Sequence, residues 1–399
     1  MTNETTAPEA RVARSVEAVP PSRIRELANV AMGMDDVIPL YFGESNLPTP
    51  QFIKDAAVEA LRQGHTYYTE NNGVPTLRRA IAESTANLHG VELDPETEIM
   101  ATSSGVHALN LTIRAVLDPG DEALVLTPVW PNGSGNTRLA NATPIHIPHP
   151  LVGDRFTIDF DALEAAVTPR TRLLLYTSPS NPLGWVATED EQDRLLSFAR
   201  RHGLWLMADE VYERLYYETD TLGSPAPSIL RKTTRDDAVI VIQSFSKAYC
   251  MTGWRAGWFV GRQDVVRRVG QMNEFVVSCA SHFTQVACET ALAQGEEEVH
   301  RVVSLFKANR DLCLDALRAI PGVTVPSPDG AFYLFPRIDG VEDSFEFCRR
   351  LLLEWKVGVA PGVAFEDGGE GSIRICYASE SSVLEPALER LDRFIRTGG

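Results

Sequence analysis

The sequence predicts an α/β protein organised around a mainly parallel β-sheet. Between about residues 96 and 260, short apolar runs alternate with amphipathic helical patterns. The runs are almost continuously apolar, which is typical of strands buried on both faces of a parallel sheet. The composition, with 44% hydrophobic and 23% charged residues, is that of a globular protein. These observations favour a sheet covered by helices on both sides.

Six apolar runs supply the predicted strands. They cover residues 99–102, 123–126, 173–177, 204–208, 239–242 and 257–260. The starts of two helices are also well marked. Thr188 and Glu191 have the spacing of a capping box, and Pro50 takes the first position of a helix that stops at Gly64.

The pattern changes after about residue 293, where a long charged helix over 299–320 opens the C-terminal part. A last helix begins near Ser382 and Glu385, a second pair with capping-box spacing. Further apolar runs lie between these helices at 331–335, 357–359 and 373–376. This mixture predicts a smaller α+β domain.

We therefore predict three segments along the chain. Residues 1–48 form an N-terminal arm and part of the small domain, residues 49–293 the large domain, and residues 294–399 the small C-terminal domain. The first 20 or so residues are polar and end in Pro20 and Pro21, which favours a loose arm.

Composition disfavours several classes of protein. The chain carries 54 acidic and 37 basic residues, a net charge of -17, so it would repel nucleic-acid phosphates and no nucleic-acid partner is expected. The six cysteines lack the spacing of metal fingers or of a disulfide framework, which favours reduced thiols. No apolar run approaches the roughly 20 residues of a membrane span, and no signal-peptide pattern is present. We expect a cytoplasmic protein without a membrane partner.

The segment after the fifth predicted strand carries the clearest chemical pattern. It reads Ser244-Phe-Ser246-Lys247 and continues to Arg255 and Gly257. A lysine at the C-terminal end of a buried strand lies where α/β folds place their sites. A desolvated lysine amine loses its proton readily and can attack an aldehyde. Taken alone, a lysine after a strand is more often a solvated surface residue, so neighbouring segments decide its interpretation.

Two further segments place polar side chains at strand ends. Asp209 and Tyr212 follow the strand 204–208, and Asn181 lies in a turn after the strand 173–177. Each has a plain structural alternative. An aspartate there also caps helices, a tyrosine commonly packs in the core, and Asn-Pro dipeptides commonly form turns.

A strand that ends in small residues opens an apolar helix at Ser104, Gly105 and Val106. Free N–H groups at such a helix start attract phosphate, and small residues allow it to approach closely. His107 is interpreted as a packed helix residue rather than as a catalyst.

Four single residues complete the set of candidates. Trp130 follows the second predicted strand, and Arg374 lies among apolar residues, where a charge needs a partner. Gly43 follows two aromatic residues, and Tyr68 lies in a Tyr-Thr segment before a glycine. Core packing for the two aromatic residues, a structural salt bridge for the arginine and a turn for the glycine are the alternatives.

Together these residues resemble the class I and II aminotransferases, enzymes of the pyridoxal-phosphate fold type I, over about residues 41–391. The S-x-S-K-x-x-x-x-x-G-x-R pattern that ends at Arg255 is highly specific to that family. The resemblance implies a large cofactor-binding domain with a seven-stranded sheet, a smaller domain, and pyridoxal 5'-phosphate as cofactor. It also implies Lys247 as the Schiff-base lysine, which moves the substrate's proton.

The resemblance further implies the contacts of the cofactor. Asp209 would lie beside the pyridine nitrogen, where a carboxylate keeps the ring protonated and a better electron acceptor. Tyr212 and Asn181 would contact the phenolic oxygen, and Trp130 would stack on the ring. The phosphate would be held by Ser104, Gly105, Val106, Ser244, Ser246 and Arg255.

Substrate and subunit contacts are implied in the same way. Arg374 would fork onto the α-carboxylate of the substrate, with Gly43 and Asn181 near the same group. Tyr68 would reach the phosphate of the neighbouring subunit. The resemblance therefore implies a homodimer in which each site is completed by the second chain.

The implied reaction is ping-pong transamination from an L-amino acid, with aspartate or an aromatic amino acid as the default donor, to a 2-oxo acid such as 2-oxoglutarate. A lyase, a cyclopropane-forming synthase or an oxidase on the same fold uses the same cofactor residues and stays open. A regulator that binds the cofactor without turnover is disfavoured, because the residues before Tyr41 are too few and too acidic for a DNA-binding module.

The sequence departs from the family pattern at three places. Leu183 stands where a threonine is usual, and Val106 is apolar where some acid-handling relatives carry a basic residue. The segment 273–285, where partner-subunit residues would enter, has an unfamiliar form. The sequence therefore leaves the choice of substrate open.

Overall fold

The structure is a computed structural model that describes residues 11–219 and 221–398. Its α-helices are α1 (Arg14–Glu17), α2 (Arg23–Ala31), α3 (Gln51–Arg62), α4 (Pro75–His89), α5 (Gly105–Val116), α6 (Asn132–Leu139), α7 (Phe160–Ala166), α8 (Glu189–His202), α9 (Gln263–Asn273), α10 (His282–Gln294), α11 (Glu296–Arg318), α12 (Ser344–Trp355) and α13 (Ser381–Arg396). Its strands are β1 (Ile38–Pro39), β2 (Ile99–Thr102), β3 (Glu122–Thr127), β4 (Thr143–Pro148), β5 (Leu151–Val152), β6 (Arg155–Phe156), β7 (Thr171–Thr177), β8 (Trp205–Asp209), β9 (Val239–Ser244), β10 (Gly257–Gly261), β11 (Val323–Thr324), β12 (Tyr333–Leu334), β13 (Arg337–Ile338), β14 (Val357–Gly358), β15 (Ala360–Pro361) and β16 (Ile373–Cys376).

A seven-stranded sheet forms the centre of the fold, in the order β2-β10-β9-β8-β7-β3-β4. Neighbouring strands are parallel except for β10, which runs antiparallel to both β2 and β9. The mainly parallel sheet predicted from the sequence is thus confirmed. Each of the six predicted runs coincides with a strand to within two residues at either end.

The sequence pattern alone missed the edge strand β4. It contains Pro144 and its last residue is Pro148, and most of its side chains are partly or fully exposed. Proline cannot donate to a β-ladder and is confined to sheet edges, so the strand lacks the apolar run that marks its neighbours.

Both faces of the sheet are covered, as the strand β9 shows. Val239 and Val241 belong to one cluster of buried apolar side chains, whereas Ile240 and Ile242 belong to a second cluster on the opposite face. Ile240 and Ile242 have no exposed surface at all. Full burial of one such side chain contributes roughly 1.5–3 kcal/mol, so the alternate residues stabilise helices on both sides.

The topology brings the chemically distinctive segments to one edge. The parallel strands β7, β8 and β9 end there at Thr177, Asp209 and Ser244. The antiparallel strand β10 starts at the same edge with Gly257, which pairs with Ser244 on one side and Thr102 on the other. Ligands of open α/β sheets bind at this carboxyl edge.

The C-terminal part contains helices α11 to α13 and a three-stranded antiparallel sheet in the order β12-β16-β15. The N-terminal segment packs onto it through α2 and through the parallel pair of β1 with β14. One apolar cluster contains side chains from both parts of the chain. The predicted boundary at residue 293 falls near the end of α10, and the division into domains stays a prediction.

Three local predictions can be compared with the structure. The capping box of Thr188 and Glu191 is confirmed, since each side chain accepts a hydrogen bond from the other residue's backbone N–H. The second box is wrong: α13 starts at Ser381, and Ser382 lies within its first turn. The Ser381 hydroxyl donates to Asn309 at 2.8 Å, and this tertiary contact is made where the helix begins. Pro50 is the N-cap of α3 rather than its first residue.

The predicted loose arm lies partly outside the described residues, which begin at position 11. Within them, α1 is one turn with no buried residue, whereas α2 buries Ile24 and Leu27. In the described parts of the chain, no helix is both long and apolar enough to cross a lipid bilayer.

Candidate active site

A cavity of about 580 Å³ opens at the carboxyl edge of the central sheet. Segments from the N-terminal region, the sheet and the C-terminal part all contribute to its wall. Most of the residues predicted for the site line it: Gly43, Gly105, Val106, Trp130, Asn181, Asp209, Tyr212, Ser244, Ser246, Lys247 and Arg255.

Lys247 lies three residues beyond the end of β9, and its side chain enters the cavity. Its Nζ donates a hydrogen bond to the backbone oxygen of Gly43 at 2.7 Å. Burial lowers the pKa of the Lys247 amine to about 8, and the charges of Arg374 and Arg255 act in the same direction. A lysine with this pKa is partly uncharged near neutral pH and can act as a nucleophile.

Asp209 is the last residue of β8 and points into the same cavity. Among the described residues its hydrogen-bond donor is the Val211 amide, at 3.4 Å. Burial raises the pKa of the Asp209 carboxyl to about 6, although the Val211 amide and the Lys247 charge oppose this shift. A partly buried carboxylate with so few partners can accept a bond from a cationic N–H group in the cavity.

A short polar chain of side chains runs along the cavity wall. Asn181 donates from Nδ2 to the Tyr212 hydroxyl at 3.5 Å, and that hydroxyl lies 2.7 Å from the hydroxyl of Tyr333. Burial raises the pKa of Tyr212. Both phenols therefore stay protonated near neutral pH and can donate hydrogen bonds.

Arg374 lies on β16 and is fully buried. Its Nη1 donates to Oδ1 of Asn181 at 3.0 Å, and its Nη2 donates to the backbone oxygen of Tyr41. Its Nε is buried without a hydrogen-bond partner. No carboxylate of the described residues lies within 4 Å of this guanidinium, so the structure gives it no internal salt bridge. A buried fork of this kind can bind a carboxylate from outside the chain.

Gly43 separates Arg374 from the cavity, because it lines the wall while Arg374 lies behind it. A Cβ atom at position 43 would clash with the Tyr333 hydroxyl and would lie 3.7 Å from Nη1 of Arg374. The glycine therefore keeps the approach to the guanidinium open.

The start of α5 offers backbone donors to the cavity. Ser104 is its N-cap, and its Oγ accepts from the His107 amide at 3.0 Å. The amides of Gly105 and Val106 have no acceptor within the described parts of the chain. Unsatisfied N–H groups in the first turn of a twelve-residue helix attract an anion.

The end of β9 and the segment after it lie close to these amides. The Ser244 hydroxyl accepts from the Ser246 amide at 3.1 Å and donates to Ala256 at 3.3 Å. Arg255 uses one Nη to donate to the Thr252 carbonyl at 2.7 Å, and no carboxylate in the described ranges lies within 4 Å of it. Its remaining N–H groups can face an anion at the start of α5.

Gly257 allows these two segments to meet. A Cβ atom at this position would come within 2.5 Å of the Gly105 nitrogen and 2.7 Å of the Gln243 oxygen. Because both contacts involve backbone atoms, a side chain at position 257 would push the start of α5 away from β9.

Trp130, Tyr68 and His107 differ in their relation to the cavity. Trp130 lines it, and its ring lies 5.7 Å from Cζ of Arg374. Tyr68 is 88% exposed and does not line the cavity of its own chain. His107 packs within α5, where its Nδ1 accepts from the Ser103 amide at 3.2 Å and burial lowers its pKa.

Some cavity residues escaped the sequence analysis. Tyr333 lies in the run 331–335, which the sequence indicates only as a strand; a hydroxyl-bearing residue within an apolar run was the available signal. Arg25, Phe42 and Glu44 also line the cavity, and no motif marks them. Their position depends on the packing of the N-terminal segment against distant parts of the chain.

These residues fit pyridoxal 5'-phosphate on physical grounds. The amides of Gly105 and Val106 and the Arg255 guanidinium provide an anion site. Asp209 offers a carboxylate for a protonated ring nitrogen, and Lys247 offers an amine for the aldehyde. The described residues contain no group of side chains suited to a metal ion.

Comparison with known proteins covers almost the whole chain. A family model for aminotransferase class I and II matches residues 35–391. The chain is 34% identical over 387 residues to aromatic-amino-acid aminotransferase 2 of Thermococcus litoralis, covering 96% of this chain and 97% of the relative. It is 35% identical over 384 residues to an aspartate aminotransferase of Pyrococcus abyssi, covering 96% and 97%. The solved aspartate aminotransferase of Thermotoga maritima matches with a TM-score of 0.89 and 31% identity, covering 96% of this chain and 100% of that one.

Proposed function

The chain belongs to the class I and II aminotransferases of fold type I, and on this premise we propose that it transfers the amino group of an L-amino acid to a 2-oxo acid by a ping-pong mechanism. Aspartate or an aromatic amino acid is the default donor, and 2-oxoglutarate is the default acceptor. One observation carries the proposal: the Lys247 amine and the Asp209 carboxylate share one cavity, and the Arg374 guanidinium lies behind its wall at Gly43. Transamination requires a nucleophile, a partner for the cofactor ring and a group that binds the α-carboxylate.

Pyridoxal 5'-phosphate is the cofactor in this proposal. It supplies, when bound, an aldehyde that amines attack and a ring that accepts electrons from the bond broken at the substrate's Cα. Asp209 would hold the proton of the ring nitrogen, and Trp130 would stack on the ring. Tyr212 and Asn181 would donate to its phenolic oxygen. The phosphate would be held by Ser104, Gly105, Val106, Ser244, Ser246 and Arg255.

Lys247 moves the proton. With a pKa of about 8, a fraction of its amine on the order of a tenth is uncharged at pH 7. An uncharged Nζ can take the proton from the substrate's Cα, and the ammonium group so formed would return it to the C4' carbon of the cofactor. The hydrogen bond to Gly43 holds this nitrogen beside the segment that screens Arg374.

Arg374 orients the substrate. Its planar guanidinium can grip both oxygens of an α-carboxylate, with Gly43 and Asn181 beside the same group. Two parallel bonds fix the direction of Cα relative to Lys247. Holding the reacting groups in a fixed orientation lowers the activation free energy by several kcal/mol.

We further propose a cytoplasmic homodimer. Tyr68 is 88% exposed, and Tyr67 and Phe275 are 82% and 89% exposed. Large exposed aromatic side chains on one chain favour an interface with another molecule. In a dimer, Tyr68 would reach the phosphate of the second subunit.

A panel of amino donors tests the proposal in a single half-reaction. The protein is loaded with pyridoxal phosphate, and each donor is added without an acceptor while the absorbance of the cofactor is followed. We expect conversion to pyridoxamine phosphate with release of one 2-oxo acid per site. Aspartate and the aromatic amino acids should be the fastest donors.

The same experiment separates transamination from the other reactions of this fold. Release of ammonia with continued turnover and no acceptor would identify a lyase or an oxidase instead. No change with any donor would remove the transaminase proposal. Lys247→Ala serves as the control, because it should lose roughly 10²–10⁴-fold in rate, while a variant outside the cavity such as Lys54→Ala should keep the wild-type rate.

A further inference from the structure

Tyr333 connects the C-terminal sheet with the wall of the active-site cavity. It is the first residue of β12, has no exposed surface and borders the cavity. β12 pairs with β16, the strand that carries Arg374, and Cζ of Arg374 lies 4.5 Å from the centre of the Tyr333 ring. The Tyr333 hydroxyl lies beside Gly43, where an added Cβ atom would clash with it. The packed ring therefore holds its hydroxyl at the cavity.

The hydroxyl groups of Tyr333 and Tyr212 form a hydrogen bond of 2.7 Å. Within the described parts of the chain, this is the only hydrogen bond of the Tyr333 hydroxyl. The Tyr212 hydroxyl has one more contact, since Nδ2 of Asn181 donates to it at 3.5 Å. A phenol has one proton to donate, and its oxygen can also accept. One of the two phenols must therefore donate to the other.

The surroundings assign the role of donor to Tyr333. If Tyr212 donated, the Tyr333 proton would have no acceptor among the described residues, because the adjacent Arg374 offers only N–H groups. If Tyr333 donates, the Tyr212 proton is left for a ligand instead. Tyr212 lines the cavity and keeps some exposed surface, whereas Tyr333 keeps none.

The pKa values of the two phenols agree with this direction. Burial raises the pKa of Tyr212 and that of Tyr333 above the ordinary value of 10.0. The hydrogen bond from Tyr333 opposes this rise in the pKa of Tyr212, because a donated proton stabilises the anionic form of the acceptor. The same bond adds to the rise in the pKa of Tyr333. Tyr333 therefore holds its proton as a donor.

The bonds that Tyr212 accepts affect the bond that it can give. Tyr333 and Asn181 both donate to its oxygen, so its own O–H group points away from these two partners. Hydrogen bonds in a chain also polarise one another, which strengthens each by about 10–30% inside a protein. The Tyr212 proton is thus both directed and made a stronger donor.

We propose that Tyr333 is a positioning residue for Tyr212: its hydroxyl donates to the Tyr212 hydroxyl and so directs the Tyr212 proton to the phenolic oxygen of the cofactor. The inference rests on the proposed function, in which Tyr212 contacts that oxygen. The hydrogen bond partly neutralises the negative charge of the oxygen. The nitrogen that joins Lys247 to the cofactor should then bind its proton less tightly.

Tyr333→Phe tests the proposal, because it removes the hydroxyl and keeps the ring. The variant and the wild type are loaded with pyridoxal phosphate, and the absorbance of the bound cofactor is titrated with pH. For Tyr333→Phe we expect the midpoint of this titration to rise by roughly 0.3–0.6 pH unit, which is a roughly two- to fourfold tighter binding of the proton.

Tyr217→Phe is the matched control. Tyr217 is 1% exposed, and its hydroxyl donates to the backbone oxygen of Ala331, but it does not line the cavity. Each variant loses one buried hydroxyl and one hydrogen bond, so both should have a lower unfolding temperature than the wild type. Only Tyr333→Phe should change the midpoint of the titration.

Tyr212→Phe shows whether Tyr333 acts through Tyr212. This variant removes the direct contact with the phenolic oxygen, so the midpoint should rise by about 1–2 pH units, the scale of a hydrogen bond to a charged oxygen. In a chain that already carries Tyr212→Phe, the further change Tyr333→Phe should leave the midpoint unchanged. Two residues that act through one bond are expected to be non-additive in this way.

The binding of a carboxylate provides a readout that Tyr333→Phe should leave unchanged. The phenylalanine ring would still pack against the Arg374 guanidinium. Propionate titrated into the cofactor-loaded protein should therefore bind the variant and the wild type with the same affinity.

An unchanged midpoint in Tyr333→Phe, or an equal rise in Tyr217→Phe, would overturn the inference and leave the proposed function in place. A full further rise in the double variant would also overturn it, because Tyr333 would then act independently of Tyr212. Weaker propionate binding with an unchanged midpoint would assign the Tyr333 hydroxyl to Arg374 instead. If the wild-type protein binds no pyridoxal phosphate, the proposed function and this inference fail together.

Discussion

Arg374 donates from Nη1 to the side-chain oxygen of Asn181 at 3.0 Å, although 193 positions separate the two residues. Arg374 belongs to the small C-terminal sheet, and Asn181 follows a strand of the central sheet. Asn181 also donates to Tyr212. One amide therefore connects the proposed substrate fork with the proposed contact of the cofactor ring.

Arg374→Lys should keep the charge and lose the fork. An ammonium group is a point charge without the planar fork that grips a carboxylate in two parallel bonds. We expect kcat/KM to fall at least about 10²-fold for every donor, through both a higher KM and a lower kcat. Steady-state kinetics with acidic and apolar donors checks this, together with the unfolding temperature and the absorbance of the bound cofactor. A loss confined to acidic donors would assign Arg374 to the side-chain carboxylate instead.

Lys247→Met should make the cofactor-free protein more stable at neutral pH. Burial lowers the pKa of the folded-state amine from its ordinary 10.5 to about 8, so the folded state binds the proton less tightly than the unfolded state. This cost is fully present below pH 8, declines as the pH rises from 8 to 10.5, and is absent above that range. At pH 7 the variant should gain up to about 3 kcal/mol.

Thermal unfolding of cofactor-free wild type and variant from pH 7 to 10.5 measures this effect. The difference in unfolding temperature should shrink steadily above pH 8. Lys54→Met is the matched control and should show little difference at any pH. If the unfolding temperature of Lys247→Met exceeds that of the wild type by the same amount at every pH, packing of the methionine rather than loss of the charge causes the increase.

Glu366 adopts backbone angles that favour glycine, with φ at +67° and ψ at -163°. Its side chain reaches Arg138 at 3.6 Å and His146 at 3.7 Å, while the preceding carbonyl of Phe365 accepts from the Val129 amide at 3.0 Å. These contacts hold a strained residue next to Phe365. The centre of the Phe365 ring lies 4.9 Å from Cζ of Arg374.

Glu366→Gly and Glu366→Ala separate the strain from the ion pair. Both variants lose the contacts with Arg138 and His146, but only glycine relieves the backbone. The glycine variant should therefore be more stable than the alanine variant by about 1–2 kcal/mol. Unfolding temperatures measured side by side check this; equal values would show that the backbone at position 366 carries no strain.

Tyr68 should act on the neighbouring subunit. Tyr68→Ala and Lys247→Ala chains, each impaired alone, are mixed, unfolded and refolded together. Half of the randomly assembled dimers are hybrids, and each hybrid has one intact site, so about a quarter of the wild-type activity should return. Activity no higher than the mean of the two separate variants would mean that Tyr68 acts within its own chain or not at all.

The sheet could be predicted from the sequence because a strand buried on both faces requires an apolar run, and six such runs coincide with strands. The edge strand β4 faces solvent and carries two prolines, so it lacks this signal. Lys247, Asp209 and Asn181 could be named because each follows a predicted strand. Tyr333 and Arg25 could not, since the packing of distant segments brings them to the cavity and no local pattern reports it.

The close approach at Gly257 constrains how this scaffold can diverge. Replacing Asp209 or Arg374 alters the chemistry and leaves the backbone in place, so a descendant could lose either residue and acquire another reaction. A side chain at position 257 would meet main-chain atoms of two separate segments, and no neighbouring side chain can be exchanged to make room. That glycine should persist in lineages that have abandoned the ancestral activity, as a trace of the close packing between α5 and β9 rather than of a shared substrate.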